Sequence, residues 1–202
     1  MDRLWTPWRY AYITGEKHSS APDQRAPQPP GVPEELRGWP GDRHCVFCNM
    51  MAAVEWAIAQ GRAAVEAERA AWILERGERT FLVLNAFPYA NGHLMAVPYE
   101  HHGSLSALPE ATAQALMQDV RRAERALRST YHPDGLNIGI NLGMAAGAGV
   151  ADHLHIHALP RWNGDSNFMT VVGETRVLPE MLAQSWERLT TALRNDRDTS
   201  SL

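Results

Sequence analysis

The sequence predicts an α+β fold built on an antiparallel sheet. Three observations carry that prediction. Short apolar runs follow one another through turns too brief for a crossover helix, which makes neighbouring strands antiparallel. Long segments of helical periodicity are set between and after the strands rather than alternating with each one. One run, DHLHIHALPRW (152–162), alternates apolar and imidazole side chains with the period of a strand.

Taken in order, residues 1–13 hold Trp5, Trp8, Tyr10 and Tyr12 and read as an ordered aromatic arm. Residues 14–42 contain six prolines and few aliphatic residues, which predicts a surface linker with extended pieces. NMMAAVEWAIAQ (49–60) places Met50, Val54 and Ile58 at helical spacing, and Gly61 closes it. AWILER and TFLVLN, with Gly77 and Glu78 between them, read as a hairpin. HLMAVP (93–98) is a third strand after the turn-like FPYANG. Residues 109–130 open on Pro109 and line up Leu116, Val120, Ala123 and Leu127, an amphipathic helix. LNIGIN (136–141) is another strand, and the loop GMAAGAG leads to the histidine run. A last helix over 179–194 sets Met181, Leu182, Ser185, Leu189 and Leu193 roughly in line. No internal repeat interrupts this order. The 202 residues read as one domain: the arm, the proline-rich surface segment, and a core over 43–202.

Composition narrows the function. With 45% hydrophobic residues the chain can bury a sizeable core. Its net charge of −4 weighs against a large nucleic-acid surface. No apolar run approaches the roughly 18 residues of a membrane span, and the start lacks a signal-type apolar core. A cytoplasmic protein without a nucleic-acid or membrane partner is expected. The two cysteines, Cys45 and Cys48, have a C-x-x-C spacing that suits half a metal site or a redox pair better than a structural disulfide.

In an extended strand His153, His155 and His157 would face one side, roughly 7 Å apart in succession. Leu154, Ile156 and Ala158 would face a core, and Pro160 would end the ladder. A polar strand edge facing solvent is the plain reading. Zinc favours neutral imidazole, so metal binding is a second. Covalent catalysis is a third, because imidazole is a good nucleophile toward phosphorus and largely neutral at pH 7. Gly143, Gly147 and Gly149 in the preceding loop allow backbone N–H groups to approach an anion.

The run His153-Leu154-His155-Ile156-His157-Ala158-Leu159 resembles the histidine triad superfamily, whose signature is H-φ-H-φ-H-φ-φ with φ apolar. VLNAFPYANGHLMAVPYEHH (83–102) resembles that family's other motif-bearing segment. The start LWTPWRYAYI and the tail 160–180 are similar to a bacterial branch that includes diadenosine tetraphosphate phosphorylases. The similarity spans nearly the whole chain outside 14–42.

The resemblance implies a five-stranded antiparallel sheet with helices, usually in a homodimer. It implies that His155 attacks the α-phosphorus of a nucleotide to form a nucleotidyl-histidine, which water or phosphate then releases. His153 and His157 become the flanking members that bind phosphate oxygens or orient the nucleophile, and His93 the histidine beside the site. Asn85 corresponds to a ribose contact and Asn141 to a polar residue beside the α-phosphate. Many members carry a Gln and a Ser or Thr just before the triad. Here Gly147-Ala148-Gly149-Val150 stands in that place with no side-chain donor, so the phosphates would rely more on backbone N–H groups, as at Gly147 and Gly149, and on Asn141. In zinc-bearing members a C-x-x-C pair, a histidine after the V-x-P segment and the first triad histidine hold structural zinc. Here those are Cys45, Cys48, His101 and His153, with His102 the alternative to His101. No organic cofactor is implied.

The expected activity is cleavage of an α–β phosphoanhydride in an adenine nucleotide or dinucleoside polyphosphate. Phosphorolysis of diadenosine tetraphosphate to ADP and ATP is the first choice, with inorganic phosphate as acceptor. Hydrolysis of dinucleoside polyphosphates or nucleoside phosphoramidates is the alternative. A non-catalytic nucleotide-binding module and a metal hydrolase are readings of other classes.

Overall fold

The computed structural model describes residues 28–165 and 180–200. The aromatic arm and the tail segment 166–179 lie outside the described residues. The elements, in order, are α1 (Val46–Ala59), α2 (Ala64–Ala70), β1 (Ile73–Arg76), β2 (Thr80–Leu84), β3 (Leu94–Pro98), α3 (Glu110–Tyr131), β4 (Gly135–Ile140), β5 (Ile156–Arg161) and α4 (Leu182–Ser200). Short 3-10 turns cover Glu34–Leu36, Leu105–Ala107 and Met144–Ala146.

The five strands form one antiparallel sheet in the order β1-β2-β3-β5-β4. The β1–β2 turn is closed by Gly77 N–H donating to the Thr80 carbonyl at 2.8 Å. β2 and β3 are buried on both faces, which is why TFLVL and LMAVP read as continuous apolar runs. Leu82, Leu84, Leu94, Ala96, Ile156 and Ala158 pack beneath α3 and α4, against Leu116, Val120, Leu127, Trp186, Leu189 and Leu193. On the other face Phe81, Val83, Met95 and Val97 pack beneath Phe47, Met51 and Val54 of α1. Residue parity in β5 therefore puts Ile156 and Ala158 under the long helices, and His157 on the side of α1.

Several expectations are corrected. Of the three histidines only His157 lies in a strand, because β5 begins at Ile156. His153 and His155 sit in the extended approach to it. Pro160 does not end the ladder: β5 runs through it to Arg161, paired with β4. Pairing of β5 with β3 has already stopped at Leu94↔Ala158, so Pro160 stands where the strand has a partner on one side only, a position that tolerates a missing N–H. α1 starts at Val46, three residues before the apolar spacing suggests, because Cys45 at the N-cap makes no side-chain cap bond to announce it. α2 was not expected. AVEAERA buries only Ala67, too little for a periodic signal. Met181 is 74% exposed and stands outside the stripe of the last helix.

The described part of the proline-rich segment, residues 28–42, packs against α1. Leu36 is buried, and Asn49 Nδ2 of α1 donates to the Pro30 carbonyl at 2.9 Å and to Asp42 Oδ1 at 3.0 Å. Gly31 has φ +88, and a Cβ there would lie 2.1 Å from the Val46 carbonyl oxygen. Only glycine lets this segment lie so close on the start of α1. The apolar stripe of α3 is buried against the sheet and against α4.

Candidate active site and metal centre

The approach to β5 passes between two polar clusters, one on each side of His155. On one side, Cys45 at the start of α1, Cys48 one turn later, His101 after β3 and His153 bring one ligand atom each to within 4.8 Å of one another. Cys45 Sγ lies 3.3 Å and Cys48 Sγ 3.5 Å from His153 Nδ1, and Cys48 Sγ lies 3.4 Å from His101 Nδ1. A tetrahedral zinc with ordinary Zn–S and Zn–N bonds of about 2.3 and 2.0 Å sets S···N edges of about 3.5 Å. The four residues fit that metal in both donor type and spacing. His153 is oriented for it: its second nitrogen, Nε2, lies 2.9 Å from the Pro98 carbonyl, which can only accept. Nε2 therefore carries the proton and Nδ1 presents its lone pair to the thiols. Burial pushes the His153 pKa down to about 4, which keeps the ring neutral. Burial, and then the neighbouring Cys45, push the Cys48 thiol up to about 11, so a thiolate here needs a cation to offset it. His102 is not part of this cluster.

On the other side lies a cavity of about 510 Å³, within the usual size range of a small-molecule site. His155, His157, Asn85, Gly149 and Val150 line it, along with Phe47, Met50, Trp72 and Phe87. The strip Pro30–Glu35 forms one wall. A wider depression between α3 and α4, lined by Arg125, Arg188 and Asp196, holds none of the histidines.

Hydrogen bonds set the tautomers. His155 Nδ1 is 2.9 Å from the His153 carbonyl, which only accepts, so Nδ1 carries the proton and the lone pair is on Nε2. The Tyr89 backbone N–H donates to His93 Nδ1 at 3.1 Å. That makes His93 Nε2 the protonated nitrogen, and it donates to His157 Nδ1 at 3.0 Å. In neutral His157 the remaining N–H is then on Nε2. A nitrogen lone pair and an N–H donor thus belong to adjacent rings, centroids 4.8 Å apart, on one cavity. Phe47 packs against both His153 and His155, at 5.3 and 5.1 Å between centroids, and separates the metal cluster from the cavity.

The residues singled out in the sequence divide into three groups. His155, His157, Asn85 and Gly149 line the cavity. His93 is fully buried behind it and reaches it through His157. His153 does not line it: it is 1% exposed, and its ring nitrogens are turned to the thiols and Pro98, the posture of a metal ligand rather than a phosphate contact. Asn141 and Gly147 do not line it either; of the loop before the histidine run, Gly149 and Val150 do. Sequence reasoning missed the Pro30–Glu35 wall and Trp72. The signal for the first was Gly31 between prolines and Val32, a short turn with an apolar residue to bury.

The HIT domain family model matches residues 66–164. A Mycobacterium tuberculosis protein named AP-4-A phosphorylase is 32% identical over 191 residues, 95% of this chain and 84% of the relative. An uncharacterized HIT-like protein from Saccharolobus solfataricus is 29% identical over 125 residues, 62% of this chain and 79% of the relative. Among solved structures, a zinc-bound histidine triad family protein from Mycobacterium smegmatis aligns with TM-score 0.55 and 29% identity, over 77% of this chain and 96% of that one. A hypothetical histidine triad nucleotide-binding protein from Sulfolobus tokodaii shares the fold at TM-score 0.54 and 22% identity, over 75% and 93%.

Proposed function

This chain belongs to the HIT domain family, and on that footing we propose that it is a nucleotidyltransferase that phosphorolyses diadenosine tetraphosphate through a histidine-bound nucleotide. The observation that carries the reading is the pair of tautomers on one cavity, a lone pair on His155 Nε2 beside an N–H on His157.

His155 Nε2 attacks the α-phosphorus. A P–N bond forms, the bond from the α-phosphorus to the bridging oxygen breaks, and ATP leaves with that oxygen. His157, held by His93, donates to the phosphate oxygens as charge builds on them. Inorganic phosphate then attacks the same phosphorus from the side the leaving group vacated, which releases ADP and restores His155. Small residues at Gly149 and Val150 leave room beside the phosphorus for that acceptor, and the protein's main contribution is to position it. Asn85 holds the ribose. His153 belongs to the metal site in this reading, with Cys45, Cys48 and His101. Zinc held by these four protein ligands would make a closed structural site and would cross-link the start of α1 to the approach to β5. The enzyme works as a homodimer with its outer strand β4 at the contact, in one compartment with its soluble nucleotides. Among the described residues no helix is long and apolar enough to cross a membrane.

Product analysis tests the acceptor. Diadenosine tetraphosphate should yield ADP and ATP at a rate that rises and saturates with added phosphate. AMP and ATP at a rate indifferent to phosphate would make the protein a hydrolase instead.

A further inference from the structure

Trp72 joins α2 to β1 with φ +57, the left-handed region that a bulky side chain rarely adopts. The strain is built in from both sides. Trp72 N–H donates to the Arg69 carbonyl at 3.0 Å, which ties it to the last turn of α2. Its own carbonyl accepts from Leu84 N–H at 3.0 Å, which ties it to β2. Where α1 ends in a similar reversal, the chain uses Gly61 at φ +94. At residue 72 it keeps the largest side chain instead. Residues held in sparsely populated backbone regions cluster where the placement of a side chain matters. Here the half-buried indole lines the cavity that holds His155, His157 and Asn85. Val32, Val46, Met50 and Phe87 add further apolar lining to the same cavity. An aromatic and apolar lining of this kind suits a base.

We propose that Trp72 is the stacking platform for the base of the bound nucleotide and makes the cavity favour purines, whose two fused rings cover more of the indole. This rests on reading the cavity as a nucleotide site. Stacking of a base on an aromatic side chain is worth roughly 5- to 150-fold in affinity.

The test is calorimetric titration of the whole protein with AMP, UMP and ribose 5-phosphate, which carries no base. Wild type should bind AMP more tightly than UMP, and both more tightly than ribose 5-phosphate. Trp72→Leu keeps apolar bulk without a π face. It should shrink the AMP advantage over ribose 5-phosphate about tenfold and leave ribose 5-phosphate itself unchanged. Trp72→Phe keeps a face and the fold. It should retain most of the AMP affinity but lose the tryptophan quenching that AMP produces in wild type. An unchanged AMP advantage in Trp72→Leu, or unchanged quenching in Trp72→Phe, would overturn the proposal while the nucleotide reading stands. If wild type binds none of the three ligands, the nucleotide reading falls and this proposal with it.

Discussion

Burial holds the ring of His153 neutral, with its pKa pushed down to about 4 against an ordinary value of 6.5. Between those two pH values the unfolded chain binds a proton at this residue and the folded chain does not. Stability of the metal-free protein is therefore lost as pH falls from about 6.5 toward 4, by up to about 3 kcal/mol from this one residue. Urea unfolding of metal-stripped wild type and His153→Gln at pH 7 and pH 5 checks this. Wild type should lose more stability on acidification than the variant, and equal losses would contradict it. The same residue shows what a sequence leaves open. The alternation of His153, His155 and His157 makes them one set by pattern. The described structure divides them, because the chain enters β5 only at Ile156. His153 then turns to Cys45 and Cys48, while His155 and His157 turn to the cavity. The division depends on contacts across 105 to 108 residues, which no local pattern encodes.

Helix α1 connects the two sides of the site. Its start carries Cys45 at the metal cluster and Phe47 against two histidines, and one turn on it carries Asn49. Asn49 is fully buried. It accepts from the Arg43 N–H at 2.6 Å and donates to Pro30 and Asp42. Asn49→Ala removes three hydrogen bonds made by a fully buried side chain and leaves a gap at its place, a cost of about 1–3 kcal/mol. It also releases the Pro30–Glu35 wall of the cavity. A lowered urea midpoint with a raised KM for nucleotide is the expected result, and unchanged values of both would contradict the stapling role. Elements with long apolar periods, such as α3, were legible in the sequence nearly to the residue. Those with little to bury were not. α2 hides a single alanine, and the proline-rich wall gains its order from Asn49 and Leu36 rather than from any period of its own.

For the whole molecule, sheet order follows from the antiparallel turns plus one long connection, α3, which returns the chain to the far edge. Apolar runs and short turns located the strands and gave the α+β class, and the family resemblance added that they form one five-stranded sheet. β4 is one of the two edge strands; its Ile138 is 44% exposed, and just after it Leu142 is 50% and Met144 83% exposed. An apolar outer strand of this kind invites pairing with another chain. We expect sedimentation at twice the 22.5 kDa chain mass, and a shift to the single chain in Ile138→Asp. A wild-type monomer at micromolar concentration would contradict the dimer. The claim on which the account turns is that His155 carries the nucleotide between its two partners. Intact-mass spectrometry of the enzyme, quenched while turning over diadenosine tetraphosphate without phosphate, tests it most directly. The account predicts one added adenylyl group, mapped to His155 and matched by one ATP released, and no such adduct in His155→Gln. Turnover with the enzyme unmodified, or an adenylyl group on any other residue, would contradict it.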